Sequence, residues 1–192
     1  KDGQLAVIDG TTDAVVAAAW VGTGAFGVAA DPVLHRVYIG CRDNRLIRVF
    51  DGTTNSVRWG DTIYPGGEPF ALATDPVIRR LYAVFAPEGE QPDRTLVYRL
   101  DPNGTPLIGS VPIGSAGTNG GGGIAANRGS GRVVVTNSAY DRVTIFNGVS
   151  GAVVRTTTTG DDPSPAAVDP VLGRFYIGNR SSGTITTIAD LP

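Results

Sequence analysis

Methionine is absent from this 192-residue sequence, and cysteine and histidine occur once each, as Cys41 and His35. A single cysteine excludes an internal disulfide framework and any multi-cysteine metal site. A single histidine leaves general acid–base work and a Ser-His-Asp set without an evident centre, because both need an imidazole held by partners in a cleft. His35 falls inside a repeated turn where other copies carry Arg79, Ser130 or Gly173, so it reads as a variable turn residue. Cys41 stands beside Arg42, which favours a thiolate, yet a partly buried, inert thiol is the expectation. Charge of one sign is also lacking: a net charge of -2 gives no electrostatic case for nucleic acid or an anionic membrane. No apolar run approaches the ~20 residues that span a bilayer, so no transmembrane helix is expected. Nor does any window carry a 3.6-residue apolar period long enough for a stable helix. With no methionine to start it, the sequence is expected either to have lost a leader or to be a piece of something longer.

What the sequence does hold is glycine and proline, 27 and 13 of them, in a chain that is 41% hydrophobic. That composition points to many short strands joined by tight turns around a buried core. A repeat organises them. Ala167-Val168-Asp169-Pro170-Val171-Leu172-Gly173-Arg174-Phe175-Tyr176-Ile177-Gly178 has counterparts at Ala30–Gly40 and Thr74–Tyr82, and an eroded one at Asn127–Val135. In each copy an arginine (Arg36, Arg80, Arg132, Arg174) follows at a fixed distance from Asp31, Asp75, Asn127 or Asp169.

Each period resolves into four predicted strands. The first, of small and aliphatic residues suited to a crowded interior, covers 27–30, 70–74, 124–126 and 166–168. An Asp-Pro turn leads to a Val-, Ile- and aromatic-rich second strand at 36–40, 81–85, 132–136 and 174–178. A third, at 4–8, 46–50, 95–100, 143–146 and 184–188, ends near Asp9, Asp51, Asp101, Asn147 and Asp190. A fourth runs through 14–21, 56–63, 106–113 and 152–159. Four antiparallel strands in roughly 40–50 residues make one blade of an all-β propeller. The units are expected at approximately 1–23, 24–66, 67–116, 117–162 and 163–192, the first and last being partial.

The stretches Val133–Phe146 and Phe175–Ile185 resemble the YVTN family of β-propeller repeats. There a Tyr-Val-Thr-Asn-like strand is followed by a polar turn, a Val-x-Val-Ile-Asp-like strand and a Thr-x-x-Val turn. The resemblance implies a propeller fold and leaves function open, since such repeats occur in surface proteins, lactonases and electron-transfer subunits. Three full units between two partial ones suggest an arc of a larger ring of roughly six to eight blades. The rival is a small closed ring in which the N-terminal strands complete the last blade.

Candidate chemistry is sparse. The innermost strands carry no carboxylate, so a metal at the axis would lack hard oxygen ligands, and no cofactor is expected. The run Gly117–Gly123 continues into a predicted strand rather than a helix, which favours a flexible connection over a phosphate cradle. The four arginines are expected to pair structurally across their hairpins, so that Arg174→Ala would cost stability. Function is expected on the face that carries the second-to-third-strand loops and the connections between units, where 86–94 and 114–123 are the longest irregular segments. The candidate binding residues there are Arg42, Asp43, Asn44, Glu68, Glu88, Glu90, Asp93, Arg94, Asn119, Tyr140, Asp141, Asp161, Asp162 and Arg180. The preferred reading is a non-catalytic scaffold, secreted, periplasmic or at a cell surface, that binds a protein or a glycan. The triplets Asn103-Gly104-Thr105 and Asn179-Arg180-Ser181 are compatible with export. The alternative is a lactonase- or lyase-like enzyme or a subunit of a redox complex. Open strand edges would favour self-association.

Overall fold

The computed structural model describes residues 3–86, 94–99, 107–113 and 122–190, and their side chains except at 86, 94–99, 107, 108 and 112. Among the described residues, seventeen strands are arranged in five antiparallel sheets, each following chain order. The first sheet pairs β1 (Gln4–Ile8) with β2 (Val15–Trp20). The second holds β3 (Ala25–Asp31), β4 (Arg36–Cys41), β5 (Leu46–Asp51) and the short β6 (Ser56–Val57). The third holds β7 (Glu68–Asp75), β8 (Arg80–Ala86), β9 (Arg94–Arg99) and β10 (Leu107–Pro112). The fourth holds β11 (Ile124–Asn127), β12 (Arg132–Asn137), β13 (Arg142–Asn147) and β14 (Val153–Thr158). The fifth holds β15 (Pro163–Asp169), β16 (Arg174–Asn179) and β17 (Thr184–Ala189).

Local turn chemistry makes these meanders. Asp31 Oδ1 accepts from the amides of Val33 (2.8 Å) and Leu34 (3.0 Å), Asp75 Oδ1 from Val77 and Ile78, and Asp169 Oδ1 from Val171 and Leu172. Asn127 Oδ1 takes the amide of Gly129 in the same way. The chain then closes each turn through a left-handed residue: His35 (φ 51), Arg79 (φ 55), Gly131 (φ 68) and Gly173 (φ 58). The third copy's counterpart of His35 is thus Gly131 and not Ser130. The third-to-fourth-strand turns repeat the device, with Asp9, Asp51 and Asn147 as acceptors and Asp13, Asn55 and Gly151 left-handed.

Alternation of side chains then decides packing, because successive strand residues point to opposite faces. On β8, Leu81, Ala83 and Phe85 pack against the second sheet with Tyr38, Ile47 and Val49. Tyr82 and Val84, one step out of phase, pack against the fourth sheet with Val133, Val135 and Phe146. Val134, Val143 and Ile145 likewise meet Phe175 and Ile177 of the fifth sheet, and Leu5 and Val7 of the first meet Ile39 and Phe50 of the second. The inner strands touch in sequence, β3 on β7, β7 on β11 and β11 on β15. Sheets fanned about an axis in this way form an arc of a β-propeller.

Two expectations are corrected. The fourth strand expected over 56–63 is confined to Ser56–Val57, and a 3₁₀ turn at Trp59–Asp61 follows before Ile63 bridges Ile47. The turn is held by Arg58 Nε on Asp61 Oδ2 at 2.6 Å, and it lays Trp59 on Trp20 (ring centroids 5.9 Å) beneath the Arg48 guanidinium (4.4 Å). Those contacts replace ladder bonds along that edge. The small closed ring is also overturned, because β1 and β2 form a sheet of their own and do not complete the one holding β15–β17. The first and fifth sheets each keep a face in solvent, with Ile8 61% and Ile185 72% exposed.

Candidate functional site

The second-to-third-strand turns and the connections between sheets do meet on one side of the arc, because they are bonded to one another. Asn44 Oδ1 accepts from the amide of Thr23 at 2.6 Å, and the Arg42 amide donates to the Gly24 carbonyl at 3.0 Å. Further round, Asp162 is fixed by its amide on Asp141 Oδ1 (2.8 Å) and by Arg180 Nε on its Oδ2 (2.6 Å). The Arg180 amide also donates to the Asp162 carbonyl at 3.0 Å.

The candidate residues therefore fall into two groups rather than one. Between the second and third sheets, the Arg42 guanidinium lies over the Phe70 ring at 4.8 Å, with Nε 3.7 Å from Glu68 Oε2. Phe26 packs edge-on against Phe70 at 6.3 Å, and on its other side a cleft of about 540 Å³ is lined by Gly3, Gln4, Gly24, Phe26, Arg42 and Asp43, from the first and second sheets and their turns. Between the fourth and fifth sheets sit Asp141, Asp161, Asp162 and Arg180, with Tyr140 beneath the Arg142 guanidinium at 4.7 Å. Asn44, Asp141, Asp162 and Arg180 are engaged in strapping loops, whereas Asp43, Asp161 and the half-exposed Tyr140 face outward. Glu88, Glu90, Asp93 and Asn119 lie outside the described residues, as does the side chain of Arg94, whose backbone opens β9. Phe26 and Phe70 were not legible as part of a site, since in sequence they are merely apolar strand residues.

Several other expectations meet the geometry here. The arginines are register partners of the turn acids, Asp31 with Arg36, Asp75 with Arg80, Asn127 with Arg132 and Asp169 with Arg174. Their bonds run elsewhere. Arg132 Nη1 lies 3.1 Å from Asp190 Oδ1 in the next sheet, Arg80 Nη2 donates to the Val149 carbonyl at 3.4 Å, and Arg36 sits 3.7 Å from Asp61. Oδ1 of each turn Asp or Asn is taken up by turn amides, while Arg80 and Arg132 reach across to the next sheet and Arg36 reaches Asp61 of its own unit. Of the run Gly117–Gly123, residues 117–121 lie outside the described residues, and Gly123 at its end is held: its amide donates to Thr136 Oγ1 at 2.6 Å, and a Cβ there would collide with the Ser164 carbonyl. Asn179 is buried, with Nδ2 donating to Thr184 Oγ1 and Thr186 Oγ1, so the folded chain does not offer it for glycosylation.

The titratable groups behave as structure rather than chemistry. Burial pushes the Cys41 thiol up, and its sulfur contacts the Val21 carbonyl at 3.4 Å, which describes an inert thiol. Burial also raises the phenols of Tyr38 and Tyr82. Donation from the turn amides of Thr11 and Thr12 lowers Asp9, and from those of Thr54 and Thr53 lowers Asp51. Among the described residues, no three His, Cys, Asp or Glu side chains gather as metal ligands, and no helix is long and apolar enough to cross a membrane.

Comparison with known proteins places the fold as a β-propeller. The chain is similar to a component of a mitotic checkpoint complex structure, at a TM-score of 0.74 and 13% identity over 98% of this chain and 56% of that one. It is also similar to the Cps50 (Swd1) β-propeller domain of Myceliophteria thermophila, at 0.67 and 10% over 93% of this chain and 56% of that one. The chain thus spans about half the length of these structures. No family model matches the sequence, and no curated protein matches it.

Proposed function

We propose that this chain is a non-catalytic propeller scaffold that binds a protein partner through its loop face. The observation that carries the reading is the strapping of that face. Cross-loop bonds such as Arg180 to Asp162 and Thr23 to Asn44 hold the turns in place, while Asp43, Asp161 and Tyr140 stand outward from them. A preorganised polar surface of this kind loses little conformational entropy on association. The likeness to a propeller in a checkpoint assembly supports the same reading at the level of fold.

The test compares the parent chain with an Asp43→Lys, Asp161→Lys, Tyr140→Ala variant. Partners would be crosslinked in the native source and confirmed with purified components, with a glycan array run in parallel. The proposal expects lost protein binding at an unchanged melting temperature. Retained binding by the variant, or binding confined to glycans, would overturn it.

A further inference from the structure

Two neighbouring interfaces treat equivalent arginines differently. The Gly148 amide donates to the Gly131 carbonyl at 2.8 Å and the Asp190 amide to the Gly173 carbonyl at 2.8 Å, so Gly148 and Asp190 hold the same place in the fourth and fifth sheets. At Asp190 a carboxylate fills the interface. Asn127 Nδ2 (2.7 Å), Ser130 Oγ and Arg132 Nη1 (3.1 Å), all from the first hairpin of the preceding sheet, converge on it. At Gly148 there is no side chain to do so. Arg80, which stands in the third sheet as Arg132 does in the fourth, reaches only the Val149 carbonyl at 3.4 Å and forms no ion pair among the described residues.

That difference leaves a space. A cavity of about 120 Å³ lies between β10 and the β13–β14 turn, lined by Arg80, Gly109, Ser110, Gly148, Ser150 and Gly151. It is several times the ~30 Å³ share of a water molecule. No carboxylate lines it among the described residues. Ser150 Oγ accepts from the Ala152 amide at 3.2 Å, which keeps its own hydrogen for donation, and Ser110 is exposed at the wall. Asp75, a register partner of Arg80, does not take its charge: Asp75 Oδ1 accepts from the Val77 and Ile78 amides, and no ion pair joins the two residues. The register partner on the other side is Arg99, and like charges directly opposite one another destabilise a ladder. A half-buried guanidinium with hydroxyl donors around it and no acid in contact is a setting for an oxyanion.

We propose that this cavity binds a phosphoryl group, which takes between the third and fourth sheets the place that the Asp190 carboxylate takes between the fourth and fifth. The Arg80 guanidinium holds it through paired N–H donors, and the hydroxyls of Ser110 and Ser150 donate to the remaining oxygens. A tetrahedral group suits the cavity better than a carboxylate, because hydroxyls stand on its wall in addition to the planar fork of the arginine. The site lies at the hairpin ends of the strands, away from the loop face, so it is independent of the partner surface proposed above. Inorganic phosphate and the phosphorylated side chain of a protein carry the same group.

The experiment titrates inorganic phosphate, and separately a short phosphoserine peptide and its unphosphorylated form, into the intact chain by isothermal calorimetry at constant ionic strength. A dissociation constant of ~1 mM or tighter is expected for at least one of the two phosphoryl probes. Arg80→Gln should weaken binding at least ~10-fold, and Arg80→Lys, which keeps the charge and loses the fork, should fall between the two. Ser110→Asp, a change at an exposed position, should remove binding by setting a carboxylate at the wall, and it keeps the test open if the Arg80 variants fold poorly. Arg155→Gln, exposed on β14 outside the cavity, should change nothing. Melting temperatures in phosphate and in chloride give a second reading, since the general salting effect of phosphate is common to parent and variants and only the Arg80-dependent part counts. Tighter binding of the phosphopeptide would make a partner's phosphorylated residue the source, and tighter binding of inorganic phosphate the free ion. No binding of either probe, equal binding by the parent and Arg80→Gln, or equal binding of acetate would overturn the proposal.

Discussion

The Tyr82 hydroxyl donates to the Gly148 carbonyl across the third and fourth sheets, and a Cβ on Gly148 would collide with that same oxygen. Glycine is therefore required at 148 by the neighbouring sheet, while its own turn takes the left-handed conformation at Gly151. Gly148→Ala should destabilise the chain by ~1–3 kcal/mol, the usual cost of overpacking. Tyr82→Phe alone should cost ~0.5–1.5 kcal/mol for the lost hydrogen bond. In the double variant the sum should fall short of additivity, because the clashing atom is gone. Urea unfolding of the four proteins checks this.

Gly123→Ala should be costly for the same kind of reason, with the added Cβ driven into the Ser164 carbonyl of the next sheet. A loss of at least ~1–3 kcal/mol is expected, and differential scanning calorimetry would register it as a lower melting temperature.

His35 and Arg79 hold left-handed backbone that Gly131 and Gly173 hold in the other copies. Left-handed conformation costs a non-glycine residue ~1–2 kcal/mol, partly offset by the entropy that glycine loses on folding. His35→Gly and Arg79→Gly are expected to be neutral or to stabilise by up to ~1 kcal/mol in chemical denaturation.

Acid should unfold the chain partly through its third-to-fourth-strand turns. The carboxyls of Asp9 and Asp51 are lowered in the fold by donation from turn amides. Their stabilisation is present above the ordinary value of roughly 3.9 and is lost as pH falls through the lower folded value. Asp51→Asn, which keeps an acceptor as Asn147 does, should flatten the acid limb of a melting-temperature profile below about pH 4. An acid limb as steep as that of the parent would count against the turn's share.

The turns were readable in the sequence because their physics is local. Asp31-Pro32, Asp75-Pro76 and Asp169-Pro170 announce an acceptor and a preset φ within a few residues, and the strands follow from what remains. Trp59 shows where that reading stops. Its 3₁₀ turn depends on Trp20, which belongs to another sheet, and on the Arg48 guanidinium stacked over its ring, neither of which the local sequence around 59–61 announces. The destination of the arginines was hidden for the same reason, since Arg132 finds Asp190 only once two meanders are set side by side. Arg174, expected to contribute to stability, is exposed, with no ion pair among the described residues, so Arg174→Ala should change stability by less than ~0.5 kcal/mol.

The central claim is that successive meanders are locked together by hairpin-to-turn grips. A double-mutant cycle on Arg132 and Asp190 tests it most directly, as the Asp190 side chain is 0% exposed and Arg132 is 3.1 Å away. With Arg132→Ala, Asp190→Ala and the double variant measured by urea unfolding, a coupling energy of ~1–3 kcal/mol is predicted. Additive losses, with no coupling between the two sites, would contradict it.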